Sequence, residues 1–214
     1  MDKNKVLIVL GTAHRKREPG KQSPDGKLKE CVYSRDICKE VAEVLKANGY
    51  MVAIDYEPLD LPKSMWSNSY DTEKNKELSM RVNNVNGLCR QYGTKNVLYV
   101  SIHVDASGTD GKWHNPNGWS VRVSTKASSR SKLLADCLYD AAKVRGLRMR
   151  QPRPSQKYWP QNLYVLNNTK CPAVLTENLF QDNLNDVAYL LSEEGRHNII
   201  GIHVEGIIKY IEKN

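Results

Sequence analysis

The sequence predicts an α/β fold, a single domain with a mostly parallel, twisted sheet of about five or six strands and helices on both faces. Two observations carry that expectation. Three short runs, residues 6–10, 97–102 and 173–175, are almost wholly apolar or β-branched, as strands are when a parallel sheet is covered on both sides. Between and after them come longer segments with apolar residues at helical spacing, the alternation expected of βα units. The length of 214 residues suits one such domain, and 40% hydrophobic with 26% charged residues is ordinary for a water-facing globular chain.

The first strand, residues 6–10, runs through Gly11, Thr12 and Ala13 to His14. Residues 15–29 hold Pro19-Gly20 and Ser23-Pro24-Asp25-Gly26, turn dipeptides that mark a surface connection. Glu30 then stands at the threshold of a helix expected over about 34–48, with Ile37, Val41, Val44 and Leu45 as its apolar stripe and Gly49 as its stop. Residues 51–55 read as a second strand. A polar connection, 56–72, with Trp66 and Tyr70, leads to a helix over 73–92 striped by Leu78, Val82, Val85 and Cys89. On that helix Arg81 reads as exposed or salt-bridged.

The central strand ends at His103 and gives way to a three-glycine loop, 107–118, suited to shaping a cleft. Residues 119–124 alternate apolar and polar, as a strand nearer the sheet edge does. A helix follows over 128–145, with Leu134, Cys137, Leu138 and Ala141 facing in. Residues 147–162 are broken by prolines and aromatics and made basic by Arg148, Arg150, Arg153 and Lys157. That segment is either a solvated loop or one wall of a substrate groove, with Arg150 and Arg153 meeting carboxylates and Tyr158 or Trp159 packing on a sugar or peptide. Residues 163–166 read as another short strand. The strand 173–175, entered through Cys171-Pro172, leads through Thr176 to Glu177, and helices over 185–192 and 196–212 complete the chain. His197 and His203 read as surface and core-edge residues.

Five cysteines without a C-x-x-C pair argue against a disulfide framework or a cysteine zinc cage, and buried thiols are expected. A net charge of +8 and a pI near 9.2 favour an anionic partner: nucleic acid, phospholipid or the acidic polymers of a bacterial wall. No segment reaches transmembrane length, so no membrane insertion is expected, and the N-terminus lacks the apolar core of a signal peptide.

In open α/β sheets, ligands sit beyond the carboxyl ends of the strands. If the three apolar strands are parallel neighbours, they deliver His14, His103 and Glu177 to one edge. Two histidines and carboxylates in one crevice make a plausible zinc site, although each histidine alone could be a capped core residue.

These residues resemble those of the zinc-dependent N-acetylmuramoyl-L-alanine amidases of the Amidase_3 type, found in autolysins and phage endolysins. The similarity spans an apolar strand ending in His14, then Glu30 opening a helix. It continues through Ser101-Ile-His103-Val-Asp105-Ala106 and Pro172-Ala-Val-Leu-Thr-Glu177-Asn-Leu-Phe180. The resemblance implies that His14, Glu30 and His103 hold one Zn2+ ion and that Glu177 is the catalytic carboxylate. It implies cleavage of the amide joining N-acetylmuramic acid to L-alanine in peptidoglycan. Two positions depart from the family pattern: Arg15 follows His14 where glycine is usual, and Leu179 also replaces a glycine.

The expectation is a single catalytic domain over 1–214 without a separate wall-binding domain, acting on the cell wall after release from the cytoplasm or after secretion with a leader outside this chain. A zinc peptidase or carboxypeptidase acting on a wall peptide is a second reading, and a noncatalytic wall-binding module a third. Nucleic acid is not an expected partner, since no aromatic-laced basic face is evident. Oligomeric state is not legible.

Overall fold

A computed structural model of the protein describes residues 1–214. Its strands are β1 (Leu7–Thr12), β2 (Met51–Ile54), β3 (Val97–Asp105), β4 (Ser120–Ser124), β5 (Trp159–Gln161) and β6 (Ala173–Phe180). They form one sheet in the order β2-β1-β3-β6-β4-β5. All neighbours are parallel except β4 and β6, which run antiparallel. The three apolar strands named from the sequence, β1, β3 and β6, are therefore adjacent and parallel, and their carboxyl ends share an edge.

Six helices cover the sheet: α1 (Glu30–Ala47), α2 (Tyr70–Tyr92), α3 (Ser129–Val144), α4 (Tyr164–Asn168), α5 (Leu184–Leu191) and α6 (Glu193–Lys213). Alternate residues along each strand feed two separate cores, which is why the strands look uniformly apolar in sequence. Ile8, Leu10, Leu98, Val100 and Ile102 pack with α1, α3, α5 and α6. Leu7, Val9, Val97, Tyr99 and Leu175 pack on the other face with α2 and α4. The α3 and α6 helices approach closely at Gly206, where a Cβ would stand 2.7 Å from Leu138 Cδ2 and 2.9 Å from Leu138 Cα. All five cysteines are free and buried.

Several boundaries differ from the sequence expectation. The α1 helix begins at Glu30 and not near residue 34; Val44, counted in its apolar stripe, is 40% exposed. The α2 helix begins at Tyr70, three residues before the expected start, because Ser69 caps it by accepting from the Thr72 amide at 3.3 Å. Residues 163–166 are not a strand: they open the short helix α4, and the pairing strand is Trp159–Gln161. A four-residue apolar run carries no periodicity that separates strand from helix, and Val165 and Leu166 satisfy the lower core equally well from one helical turn. His203, expected at the core edge, is fully buried, between Thr176 Oγ1 (2.9 Å) and the Ile199 carbonyl (2.7 Å).

Candidate metal centre and catalytic carboxylate

His14 follows β1 in a left-handed backbone conformation, φ 46°, uncommon for a residue with a Cβ. Contacts from both helical layers hold it there. From α1, Ser34 Oγ accepts from the Ala13 amide (2.9 Å) and Arg35 donates to the Ala13 carbonyl (2.8 Å). From α2, Arg81 donates to the His14 carbonyl (3.2 Å). Arg81 is itself buried and paired with Asp55 (3.0 Å) and Glu77 (3.0 Å), so the salt-bridged alternative is the one the structure adopts.

Glu30 is the first residue of α1, and its helix start carries no side-chain cap. Its carboxylate, 1% exposed as a residue, reaches over the sheet edge instead, where Oε1 accepts from the Val104 amide at 3.1 Å. The same carboxylate faces both histidines: Oε2 lies 3.3 Å from His14 Nε2 and Oε1 3.1 Å from His103 Nδ1. One ligand atom from each of His14, Glu30 and His103 lies within 4.8 Å of the other two.

The far ring nitrogens have partners of their own. His14 Nδ1 is 2.9 Å from Glu18 Oε2, and His103 Nε2 is 3.1 Å from Ser101 Oγ. Glu18 was not singled out from the sequence; it lies in the loop read as a plain surface connection. It is buried, accepting also from Arg15 (3.1 Å) and from the Tyr70 hydroxyl (2.8 Å). Arg15 is 3% exposed and continues into Glu73 (3.1 Å) and Glu77 (2.8 Å) on α2. Its charge is thereby committed to carboxylates behind His14.

This donor set fits a catalytic zinc. Two imidazole nitrogens and one carboxylate are a three-ligand set that leaves a coordination position for water, and partners on the far nitrogens fix ring orientation and tautomer. Without a cation the cluster must neutralise itself with protons. Burial pulls the His14 pKa down, but Glu30 and Glu18 more than reverse this, to about 9. Burial lowers His103, with the Glu30 hydrogen bond opposing. The Glu30 carboxyl is held well below its usual range, since the two histidines outweigh the burial cost.

Glu177 sits beside His103 in the β3–β6 register. Its Oε1 accepts from Arg122 Nε at 3.1 Å, while Oε2 is buried without a partner. Arg122, on β4, also donates to Asp105 Oδ2 (2.7 Å) and Gln161 Oε1 (2.7 Å). Burial first, and the Asp105 carboxylate second, raise the Glu177 pKa to about 8 against the opposing pull of Arg122. Just beyond Glu177 the register shifts, and Leu179 takes φ 64°, a left-handed backbone that carries a leucine. Asn178 anchors that bulge, donating to the His103 carbonyl (2.9 Å) and accepting from Trp119 Nε1 (2.8 Å).

A cleft of about 470 Å3 opens over His14, His103 and Glu177, with Lys21, Lys74, Gln161 and Tyr164 among its walls. Arg150, Arg153 and Trp159 do not line it. Arg150 pairs with Asp105 (3.1 Å) and lies over the Phe180 ring; Arg153 is exposed and bonded to Gln156; Trp159 packs beside Arg150 on β5. The residues that line the cleft from this region, among them Gln161, Asn162 and Tyr164, come from the end of the basic segment and the turn of helix that follows it.

The family model for N-acetylmuramoyl-L-alanine amidase matches residues 8–209. An endolysin of Bacillus phage SPP1 is 27% identical over 205 residues, covering 96% of this chain but 66% of that protein, so this chain spans just under two thirds of its length. Among solved structures, the Ami1 amidase of Mycobacterium smegmatis superposes with a TM-score of 0.78 at 18% identity, each chain fully covered. The CwlD amidase of Clostridioides difficile, solved with the GerS lipoprotein, gives 0.75 at 20% identity, covering 98% of this chain and 100% of that one. At such identities the structures attest the fold, while the family match extends over nearly the whole chain, His14 and Glu177 included. The chain belongs to the N-acetylmuramoyl-L-alanine amidase family.

Proposed function

We propose that this protein is a zinc-dependent hydrolase that cleaves the amide bond between N-acetylmuramic acid and the L-alanine of peptidoglycan stem peptides, with residues 1–214 forming its catalytic domain. The observation that carries the reading is the meeting of His14, Glu30 and His103 with the unpartnered Glu177 Oε2 at one sheet edge, beneath a cleft that His14, His103 and Glu177 line. Bound there, Zn2+ would supply Lewis acidity, lowering the pKa of a water and polarising the scissile carbonyl. His14 and His103 would hold it through Nε2 and Nδ1, the nitrogens facing Glu30, and Glu18 and Ser101 would keep both rings in those orientations.

Glu177 is the proton carrier in this mechanism. Its free Oε2 takes the proton of the attacking water and then returns it to the departing L-alanine amine. Arg122 holds Oε1 and so leaves Oε2 as the reacting atom. Lys21 and Lys74 on the cleft wall suit the carboxylates of a stem peptide. Action on the cell wall follows from this substrate; no helix is long and apolar enough to cross a membrane.

The test is mass spectrometry of purified peptidoglycan digested by the protein, with and without a chelator and with Glu177→Ala. Free stem peptides beginning at L-alanine, lost with the chelator and with the variant, are expected. Cleavage within the peptide would replace the amidase by a zinc peptidase, and wall binding without cleavage would replace it by a binding module.

A further inference from the structure

A second cleft, of about 900 Å3, opens at the opposite edge of the sheet from the metal centre, where β3 and β6 begin and β4 ends. Lys95 precedes β3, Lys126 follows β4, Arg130 lies in the first turn of α3 and Lys170 precedes β6; all four line the cleft, and no aspartate or glutamate does. None of the four takes part in an ion pair, unlike Arg15, Arg81 and Arg122 near the metal centre. Arg130 is partly fixed, donating through Nη2 to the Lys95 carbonyl at 2.9 Å, while its buried Nε has no acceptor. The end of α3 is already capped by Ser128, which accepts from the Ser131 amide at 3.1 Å, so the positive character comes from side chains.

The helix α4 is the wall between the two clefts. Tyr164 and Val165 face the catalytic cleft, Leu166 and Asn167 the basic one, and Asn162 lines both. Along β6 the separation from Pro172 in the basic cleft to Glu177 is five residues, roughly 17 Å of strand. A flexible polymer bound in one cleft thus lies within reach of material in the other.

We propose that the basic cleft binds a phosphodiester-linked anionic polymer of the bacterial wall, of the polyol-phosphate kind, and so holds the enzyme beside the glycan. The choice of a wall polymer rests on the amidase reading; the site itself rests on the cleft and its four unpaired cations. Spread around about 900 Å3, those cations suit several successive phosphates better than one. Nucleic acid is disfavoured because no aromatic side chain lines the cleft, and single strands are held by stacking bases on aromatic rings.

The experiment measures binding of the full chain to purified poly(glycerol phosphate), with inorganic phosphate and single-stranded DNA of equal phosphate number as competitors. The variant is Lys95→Ala/Lys126→Ala/Lys170→Ala, at three exposed positions, with Lys170→Glu as a second variant should the triple one unfold. With three phosphate contacts removed, polymer affinity is expected to fall roughly tenfold at about 0.15 M salt and to lose part of its salt dependence. Cleavage of a short soluble muramoyl peptide should be unchanged. Equal affinity of wild type and both variants overturns the proposal, as does DNA competing at lower concentration than the polymer or inorganic phosphate competing as well per phosphate. Failure of the wild type to cleave the soluble peptide sinks the amidase reading instead, and leaves the binding result standing.

Discussion

Replacing Glu18 by Gln isolates the part that a loop carboxylate plays in the metal site. The substitution keeps the size of the side chain but removes the charge from a hydrogen bond of 2.9 Å to His14 Nδ1, in a place where Glu18 is 6% exposed. Hydrogen bonds to a charged group contribute about 1.5–3 kcal/mol, and loss of such an outer partner typically costs about 10–100-fold in metal affinity. Zinc affinity, measured by competition with a chromophoric chelator, should therefore fall by one to two orders of magnitude at near-neutral pH. Glu18 also accepts from Tyr70 on its other oxygen at 2.8 Å, so Tyr70→Phe serves as the control that loosens the carboxylate without touching His14. That control should cost only a few-fold. Zinc affinity of Glu18→Gln within twofold of wild type would refute the reasoning; a loss in Tyr70→Phe as large would show that rigidity of the loop, and not the bond to His14, sets the affinity.

Four further outcomes follow, three from the same site and one from the packing of the helices. In the zinc-free protein both His14 and Glu177 have pKa values raised above those of the unfolded chain, to about 9 and about 8, so the folded state binds more protons than the unfolded one over that range. Stability should be greatest at low pH within this window and fall as pH rises toward about 9, by about 3 kcal/mol for the His14 shift alone, and thermal melts of chelated protein from pH 6 to 9 that stay flat would contradict this. Zinc binding would displace the His14 proton, and Glu177, also mostly protonated there, would ionise to serve as the base, so calorimetry in buffers of different ionisation enthalpy should show between one and two protons released per zinc near pH 7.5. Arg122→Gln removes the cation that opposes the rise of the Glu177 pKa, so the acid limb of the kcat/KM profile should move to higher pH than in wild type; an unmoved limb would separate Arg122 from the proton carrier. Gly206→Ala places a Cβ 2.9 Å from the Leu138 backbone and should destabilise the fold by about 1–3 kcal/mol without changing zinc affinity, checked by denaturant midpoint.

The strands were legible because burial on both faces leaves a run such as residues 97–102 with no polar position, and a chemistry-bearing residue at the end of such a run is conspicuous. That much places His14, His103 and Glu177 at a common edge from the sequence alone, and β1, β3 and β6 are adjacent as that placement requires. Glu30 was visible at a helix threshold, but not that it is the first helical residue and spends its carboxylate on the sheet edge in place of a cap. What stayed hidden depends on pairing across distance. Arg15 and Glu18 look like solvated loop charges until α2 supplies Tyr70, Glu73 and Glu77 around them. Arg122 looks like the outward residue of an alternating strand, and only the antiparallel placement of β4 against β6 sets it on Glu177. The basic segment drew attention to Arg150, Arg153 and Trp159 by composition, whereas the cleft wall takes Gln161 from the uncharged end of that segment and Tyr164 from the helix after it.

The grip on the end of β1 has a consequence for how the protein matures. Ser34 and Arg35 reach Ala13 from one side of the sheet, and Arg81 reaches the His14 carbonyl from the other. A chain in which only one helical layer has docked leaves the first imidazole on a free loop, and its zinc capture there would be that of a flexible peptide. On the zinc reading proposed above, tight metal loading would therefore require that both layers have docked. A metal ion that binds the finished form better than a partial one would also shift the folding equilibrium toward that form.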